Sequence, residues 1–193
     1  MRCSFLLLCA PLVLVGAETT VEDFAPVAGR TPVVFQDAEH GSATIEIVTA
    51  PAGEPGQAAV VTWSDWRKPY LDFITGVPRA VTDFSDGQSG IMHARLYLPA
   101  GTALNGVAIR FTDTGGETFQ WPAAGDLGSP GWRTVVFSID PTTSSGHWGG
   151  DANGKIDPPL RFQGFAIVPQ AVAPSAGTIA IGAVTSNATS AGH

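Results

Sequence analysis

The chain has 193 residues, with 17 acidic side chains against 10 basic ones, a formal net charge of −7 and no run of lysine or arginine. Phosphate backbones and anionic membrane surfaces are therefore poor partners, and nucleic acid is excluded as an expectation. A hydrophobic content of 44% rules out a disordered chain, and 23 glycines and 15 prolines with only 14% charged residues suit many short strands separated by turns.

Met1-Arg2-Cys3-Ser4 is followed by an apolar run from Phe5 to Val15, then Gly16-Ala17 and the polar Glu18. One positive charge, a short apolar stretch and a small-residue cleavage site are the parts of a secretory signal peptide. Residues 1–17 are expected to be removed, leaving the protein secreted, periplasmic or at the cell surface. The apolar run falls short of the roughly 20 residues of a membrane span, and Leu8 stands where a lipid anchor at Cys9 would need a small residue. Both cysteines lie in this segment, so residues 18–185 are expected to form one domain that lacks thiol catalysis, cysteine-bound zinc and disulfides. Residues 186–193 read as a frayed polar tail, and Asn187-Ala188-Thr189 has the glycosylation pattern.

No helical stripe of useful length occurs, and strand signals recur instead. A short strand is expected near Val21–Phe24 or Val33–Gln36. Ala43–Thr49, Ala58–Trp63, Tyr70–Thr75, Ile91–Leu98, Val107–Thr112, Thr118–Trp121, Thr134–Ile139, Phe162–Val168 and Thr178–Val184 follow. Pro51-Ala52-Gly53, Pro55-Gly56, Asp86-Gly87, Pro99-Ala100-Gly101, Asp113-Thr114-Gly115-Gly116, Pro130-Gly131 and Asn153-Gly154 supply the turns between them. Even-spaced strands without helices predict an all-β sandwich or barrel.

Alternation assigns the faces. Met92, Ala94, Leu96 and Leu98 share the core side of their strand, leaving His93, Arg95 and Tyr97 outward. Val107, Ile109 and Phe111 point inward and Arg110 outward, while Gln120 lies opposite Phe119 and Trp121. If these strands are neighbours, His93, Arg95, Tyr97, Arg110 and Gln120 form one polar-aromatic face. Sugars present rows of hydroxyls and weakly apolar ring faces, which such a face reads with planar rings and fixed donors and acceptors. Trp63, Trp66 and Tyr70, at a strand-to-loop junction, are a second candidate set. Trp132 and Trp148 read as structural, with His147-Trp148-Gly149-Gly150 in a loop. Asp113 and Glu117 read as turn residues. Asp151 to Asp157 looks like a calcium loop, but Lys155 occupies a ligand position, so an Asn-Gly turn with flanking acids is the better reading.

A series of motifs in order resembles a known group: Glu22-Asp23-Phe24, Ile109 to Phe119 with its Asp and Gly-Gly, Gly131-Trp132 leading a strand, Trp148-Gly149-Gly150-Asp151, Asn153-Gly154 to Pro159, and a last strand after Gly177-Thr178. From about Val21 to Val184 the chain resembles the galactose-binding-like jelly-roll domains found as carbohydrate-binding modules beside glycoside hydrolases. The resemblance implies an antiparallel β-sandwich of jelly-roll type. It also implies a structural calcium between a first-strand Glu and a last-strand Asp. Ala25 follows Asp23-Phe24 here and Ile181-Gly182-Ala183 contains no acid, so no metal and no cofactor are expected.

No nucleophile elbow, zinc-binding His-Glu-x-x-His or phosphate-cradling loop is present. The expected function is a secreted, non-catalytic carbohydrate-binding module that holds a polysaccharide on a sheet face or at loop tips, through His93, Arg95, Tyr97, Arg110, Gln120, Trp63, Trp66 and Tyr70. Two alternatives stay open. One is a cell-surface adhesion or structural sandwich that binds a protein. The other is a small polysaccharide lyase, since His93, Arg95, Tyr97 and Arg110 supply the residue types that proton removal beside a carboxylate requires.

Overall fold

The computed structural model describes residues 18–34, 40–80, 90–140, 142, 144–169 and 175–187. The expected signal peptide and the Asp86-Gly87 turn lie outside these residues. Twelve strands occur among them: β1 (Thr19–Glu22), β2 (Val33–Val34), β3 (Ser42–Thr49), β4 (Gln57–Trp66), β5 (Leu71–Ala80), β6 (Gly90–Leu98), β7 (Leu104–Thr112), β8 (Glu117–Ala124), β9 (Gly131–Ile139), β10 (Gly146–Gly149), β11 (Arg161–Pro169) and β12 (Ser175–Asn187). All pair antiparallel in a jelly-roll β-sandwich. One layer runs β2-β5-β11-β7-β8-β10 and the other β9-β6-β12-β4-β3. The end of β8 crosses between them, where Ala123 and Ala124 pair with Phe137 and Val136 of β9. β12 pairs with β4 through Ile181, and β1 then takes over beside Val184 to Ser186. It continues two residues past the expected domain end, and Ser186 is buried.

The core lies between the layers and is rich in aromatic rings. Phe73 and Phe165 stand 5.5 Å apart, Phe162 and Phe165 5.5 Å, and Phe111 and Phe162 5.8 Å. Each fully buried phenylalanine contributes about 1.5–3 kcal/mol of transfer free energy. Bulges decide which residues reach this core, since an extra residue in one strand resets its alternation. In β4 the register slips between Trp63 and Trp66, with Asp65 at φ +51°. Both tryptophans consequently face inward, 3% and 1% exposed, and Trp63 packs flat on Gly177, where a Cβ would stand 2.4 Å from the indole. This corrects the reading of Trp63 and Trp66 as ligand platforms. A second slip, at Gln163 in β11, turns both Phe162 and Phe165 inward.

The first strand does carry a buried carboxylate, Glu22, which the reading of missing calcium ligands overlooked. Its Oε1 accepts the Phe24 N–H at 2.6 Å and its Oε2 accepts Arg30 Nη2 at 2.8 Å, while Arg30 Nη1 donates to the Ala25 carbonyl at 3.3 Å. Val184 stands opposite Glu22 on β12, with no acid beside it. A calcium ion collects several oxygen ligands. Here both oxygens of Glu22 are engaged and its charge is met by a guanidinium, so the residues do not fit the ion.

Arg30 and Glu22 side chains are 4% and 0% exposed. Removing one partner of a buried pair strands the other charge, so Arg30→Ala is expected to cost roughly 3 kcal/mol, read as a lower urea midpoint. A chelator is expected to leave the wild-type midpoint unmoved.

Candidate functional site

The two outer faces of the sandwich differ. On the β9-β6-β12-β4-β3 layer, His93, Arg95 and Tyr97 do point outward, but the loop from Ala50 to Gly56 closes on Arg95 and packs by Tyr97 and Trp132. Glu54 grips Arg95 with two parallel hydrogen bonds, Nε to Oε1 at 2.7 Å and Nη2 to Oε2 at 2.8 Å. Trp132 Nε1 donates to the Pro51 carbonyl at 2.8 Å, and its ring sits 5.3 Å from Tyr97 and under the Arg95 guanidinium. Beside this clamp a dish of about 380 Å³ is lined by His93, Thr134 and Thr185. Its polar groups already have partners, since His93 Nδ1 stands 3.4 Å from Glu18 Oε1 and Thr185 Oγ1 donates to the same oxygen. The Thr185 hydroxyl, and then His93, hold the Glu18 carboxyl below its ordinary value.

On the β2-β5-β11-β7-β8-β10 layer the outer face is open and forms a groove of about 580 Å³. Small residues make its floor. Ala166 of β11 pairs with Ala108 of β7 and Asp72 of β5, and Gly164 pairs with Arg110. With no long side chain on β11 in its way, Arg110 crosses that strand and places Nη1 2.8 Å from Asp72 Oδ1. Its Nε donates to Gln120 Oε1 at 3.0 Å on the neighbouring strand. The Trp148 indole lies over the guanidinium, 4.7 Å from ring centroid to Cζ. Gln163, the bulged residue of β11, lines one side. Tyr70 flanks the groove at the start of β5, its backbone carbonyl accepting the indole N–H of buried Trp66 at 3.2 Å. Tyr70 and Trp148 are 49% and 43% exposed.

The structure thus brings Tyr70, Arg110 and Gln120 into one groove. It leaves His93, Arg95 and Tyr97 on the opposite layer, because β6 lies between β9 and β12 and not beside β7. The lyase expectation needed all four of its residues together, and they are divided between the two faces. Asp72, Gln163 and Trp148 also line this groove and were not among the expected site residues.

Trp148 owes its position to a strap. The expected loop His147 to Gly150 is in part strand β10, paired with β8. His147 stacks on Phe119 and its Nδ1–H donates to Glu117, which is fully buried where β8 leaves the Gly115-Gly116 turn. The Gly154 N–H also reaches Glu117, 3.1 Å from Oε2. Asp113 accepts the Glu117 N–H at 2.8 Å and the Asp157 N–H at 3.1 Å. A Cβ on Gly150 would meet the Glu117 nitrogen at 2.2 Å, so only glycine permits this approach. Among the described residues no group of three or more His, Cys, Asp or Glu side chains is placed to hold a metal.

The sequence matches no family model and no curated protein. The fold is similar to the family 11 carbohydrate-binding module from Clostridium thermocellum, solved in complex with a β-1,3-1,4-mixed-linked tetrasaccharide, with TM-score 0.56 and 14% identity over 89% of this chain and 95% of that one. It is also similar to the family 11 module of the cellulosomal cellulase Lic26A-Cel5E of the same organism, with TM-score 0.55 and 13% identity over 89% and 94% of the two chains. A third match, a carbohydrate-binding module of the β-sandwich superfamily, has TM-score 0.52 and 11% identity over 86% of this chain and 61% of that chain. This is the fold of β-sandwich carbohydrate-binding modules. A sandwich of this fold has two outer faces, and here the clamp covers part of one of them.

Arg95, through its hydrogen bonds first, holds the Glu54 carboxyl below its ordinary 4.5. A carboxylate whose pKa is depressed by folding adds stability above its unfolded value and loses it as pH falls through the folded one. Glu54→Gln is therefore expected to lower the thermal midpoint near neutral pH. The difference from wild type should shrink to nothing as pH is taken down through the carboxylate range, which a series of melts checks.

Proposed function

We propose that the chain is an exported, non-catalytic module that binds a polysaccharide in the groove between Tyr70 and Trp148. The observation that carries this reading is the groove's construction. Two exposed aromatic rings flank a floor of small residues on which a guanidinium, a carboxylate and the Gln120 amide are held by one another, with the Gln163 amide beside them. Exposed apolar ring surface is unfavourable in water, and a ligand that covers it relieves that cost. A sugar chain offers each ring an apolar face, and its hydroxyls can exchange hydrogen bonds with Gln120, Gln163 and Asp72. Fixing those groups in advance lowers the ordering cost of binding. The similar family 11 module was solved with a mixed-linked tetrasaccharide bound, which supports a glycan as the ligand class.

Tyr70 and Trp148 stand four strand positions apart in the order β5-β11-β7-β8-β10, so their backbones are separated by roughly 19 Å across the sheet at the usual strand spacing.

Affinity electrophoresis in a panel of soluble polysaccharides tests the reading. Retardation in at least one gel is expected, reduced on the order of tenfold or more in affinity by Trp148→Ala and by Tyr70→Ala, as for a central aromatic contact. His93→Ala, on the opposite face, should bind as wild type does. Unretarded migration of folded protein in every gel would sink the proposal.

A further inference from the structure

Arg110 is the only cation, and Asp72 the only acid, among the described residues that line the groove. We infer that Asp72 is a specificity determinant: by closing an ion pair with Arg110 inside the groove it makes the floor neutral and selects uncharged glycans against uronate polymers. The inference rests on the glycan-binding reading above and adds the class of glycan.

The geometry leaves Arg110 little to offer an anion. Its side chain is 12% exposed. Asp72 Oδ1 stands 2.8 Å from Nη1 as its counter-ion, Gln120 accepts from Nε, and the Trp148 ring covers one face of the guanidinium. A uronate carboxylate entering the groove would have to displace Asp72, or sit beside its like charge in a chain that already carries a net charge of −7. A neutral sugar hydroxyl meets no such repulsion and can donate to Asp72.

Removing the charge of Asp72 while keeping its shape should reverse the preference. In Asp72→Asn the guanidinium keeps its position under Trp148 but loses its counter-ion. A guanidinium fork is well matched to a carboxylate. Hydrogen bonds to charged groups are worth enough to change affinity on the order of tenfold.

The experiment is affinity electrophoresis of the full chain in gels of neutral polymers (mixed-linked β-glucan, xylan, galactomannan) and of acidic ones (polygalacturonate, alginate), with melts to show that each variant folds. Wild type should be retarded only in neutral gels. Asp72→Asn should gain retardation in an acidic gel on the order of tenfold in affinity, and Asp72→Asn with Arg110→Gln should lose that gain. Wild-type retardation in acidic gels equal to that in neutral ones would overturn the inference while leaving glycan binding intact. So would a folded Asp72→Asn variant that still ignores acidic gels. Wild type unretarded in every gel would remove the glycan reading and this inference with it. If Asp72→Asn does not fold, the wild-type comparison of acidic and neutral gels still decides.

Discussion

The open face of the sandwich depends on one guanidinium. Arg110 rises from β7, passes over the small residues of β11, and ends against Asp72 on β5, with Gln120 of β8 at its side and Trp148 of β10 above it. One side chain thereby ties together residues from four strands of one layer. The pairing is possible because Gly164 and Ala166 put nothing tall between β7 and β5. A leucine at either position would fill the groove and separate the pair. The interaction is only partly screened by water, since Arg110 and Asp72 side chains are 12% and 20% exposed, so it fixes geometry more than a surface ion pair does.

The platform above Arg110 is held from the other side by Glu117. A buried carboxylate needs a full set of donors, and Glu117 receives them from His147 and Gly154, both in the chain segment that flanks Trp148. Satisfying that carboxylate therefore also sets where β10 runs. Asp113 extends the arrangement by bonding to the backbone of Glu117 and Asp157. Asp113 and Glu117 flank the Gly115-Gly116 turn as expected and also accept hydrogen bonds from the Asp157 and Gly154 N–H groups, while Asp151 and Asp157 accept from the Asn153 side-chain amide. Binding platform and strap are in this sense one structure. The opposite face shows the alternative use of the same chemistry, where Glu54 closes on Arg95 and ties its loop to β6.

What is legible in the sequence follows from what alternation can carry. The all-β class, the core sides of β6, β7 and β8, and the outward direction of Arg110 and Gln120 come from period-two patterning, which acts within a strand. Strand order does not, because pairing partners are set by contacts far apart in the chain. His93, Arg95 and Tyr97 are outward as expected but belong to the other layer. Bulges defeat alternation directly: Trp63 and Trp66, three residues apart, reach the core together because Asp65 adds a residue between them. Trp148 escapes a sequence reading because its glycine-flanked tetrapeptide reads as loop, whereas β8 supplies an edge that makes it a strand. Asp72 carries a readable signal, an acid between two core residues of an outward-alternating strand, but its meaning comes only with the arginine two strands away.

The absence of cysteine in residues 18–193 gives the buried Arg30–Glu22 pair its importance. A sandwich whose first strand covers only the end of its last strand is liable to fray there, since β1 contributes four residues. Glu22 resists this in two ways. Its carboxylate receives the N–H of Phe24, whose φ of +55° turns the ring into the core, and it draws Arg30 in from the following loop. Such a pair stabilises weakly compared with apolar packing, because both charges leave water. What it supplies is direction, since only one path of the chain after β1 satisfies Glu22. Packing of the phenylalanine-rich core supplies the free energy, and the buried acids Glu22 and Glu117 direct the chain segments that follow β1 and flank Trp148.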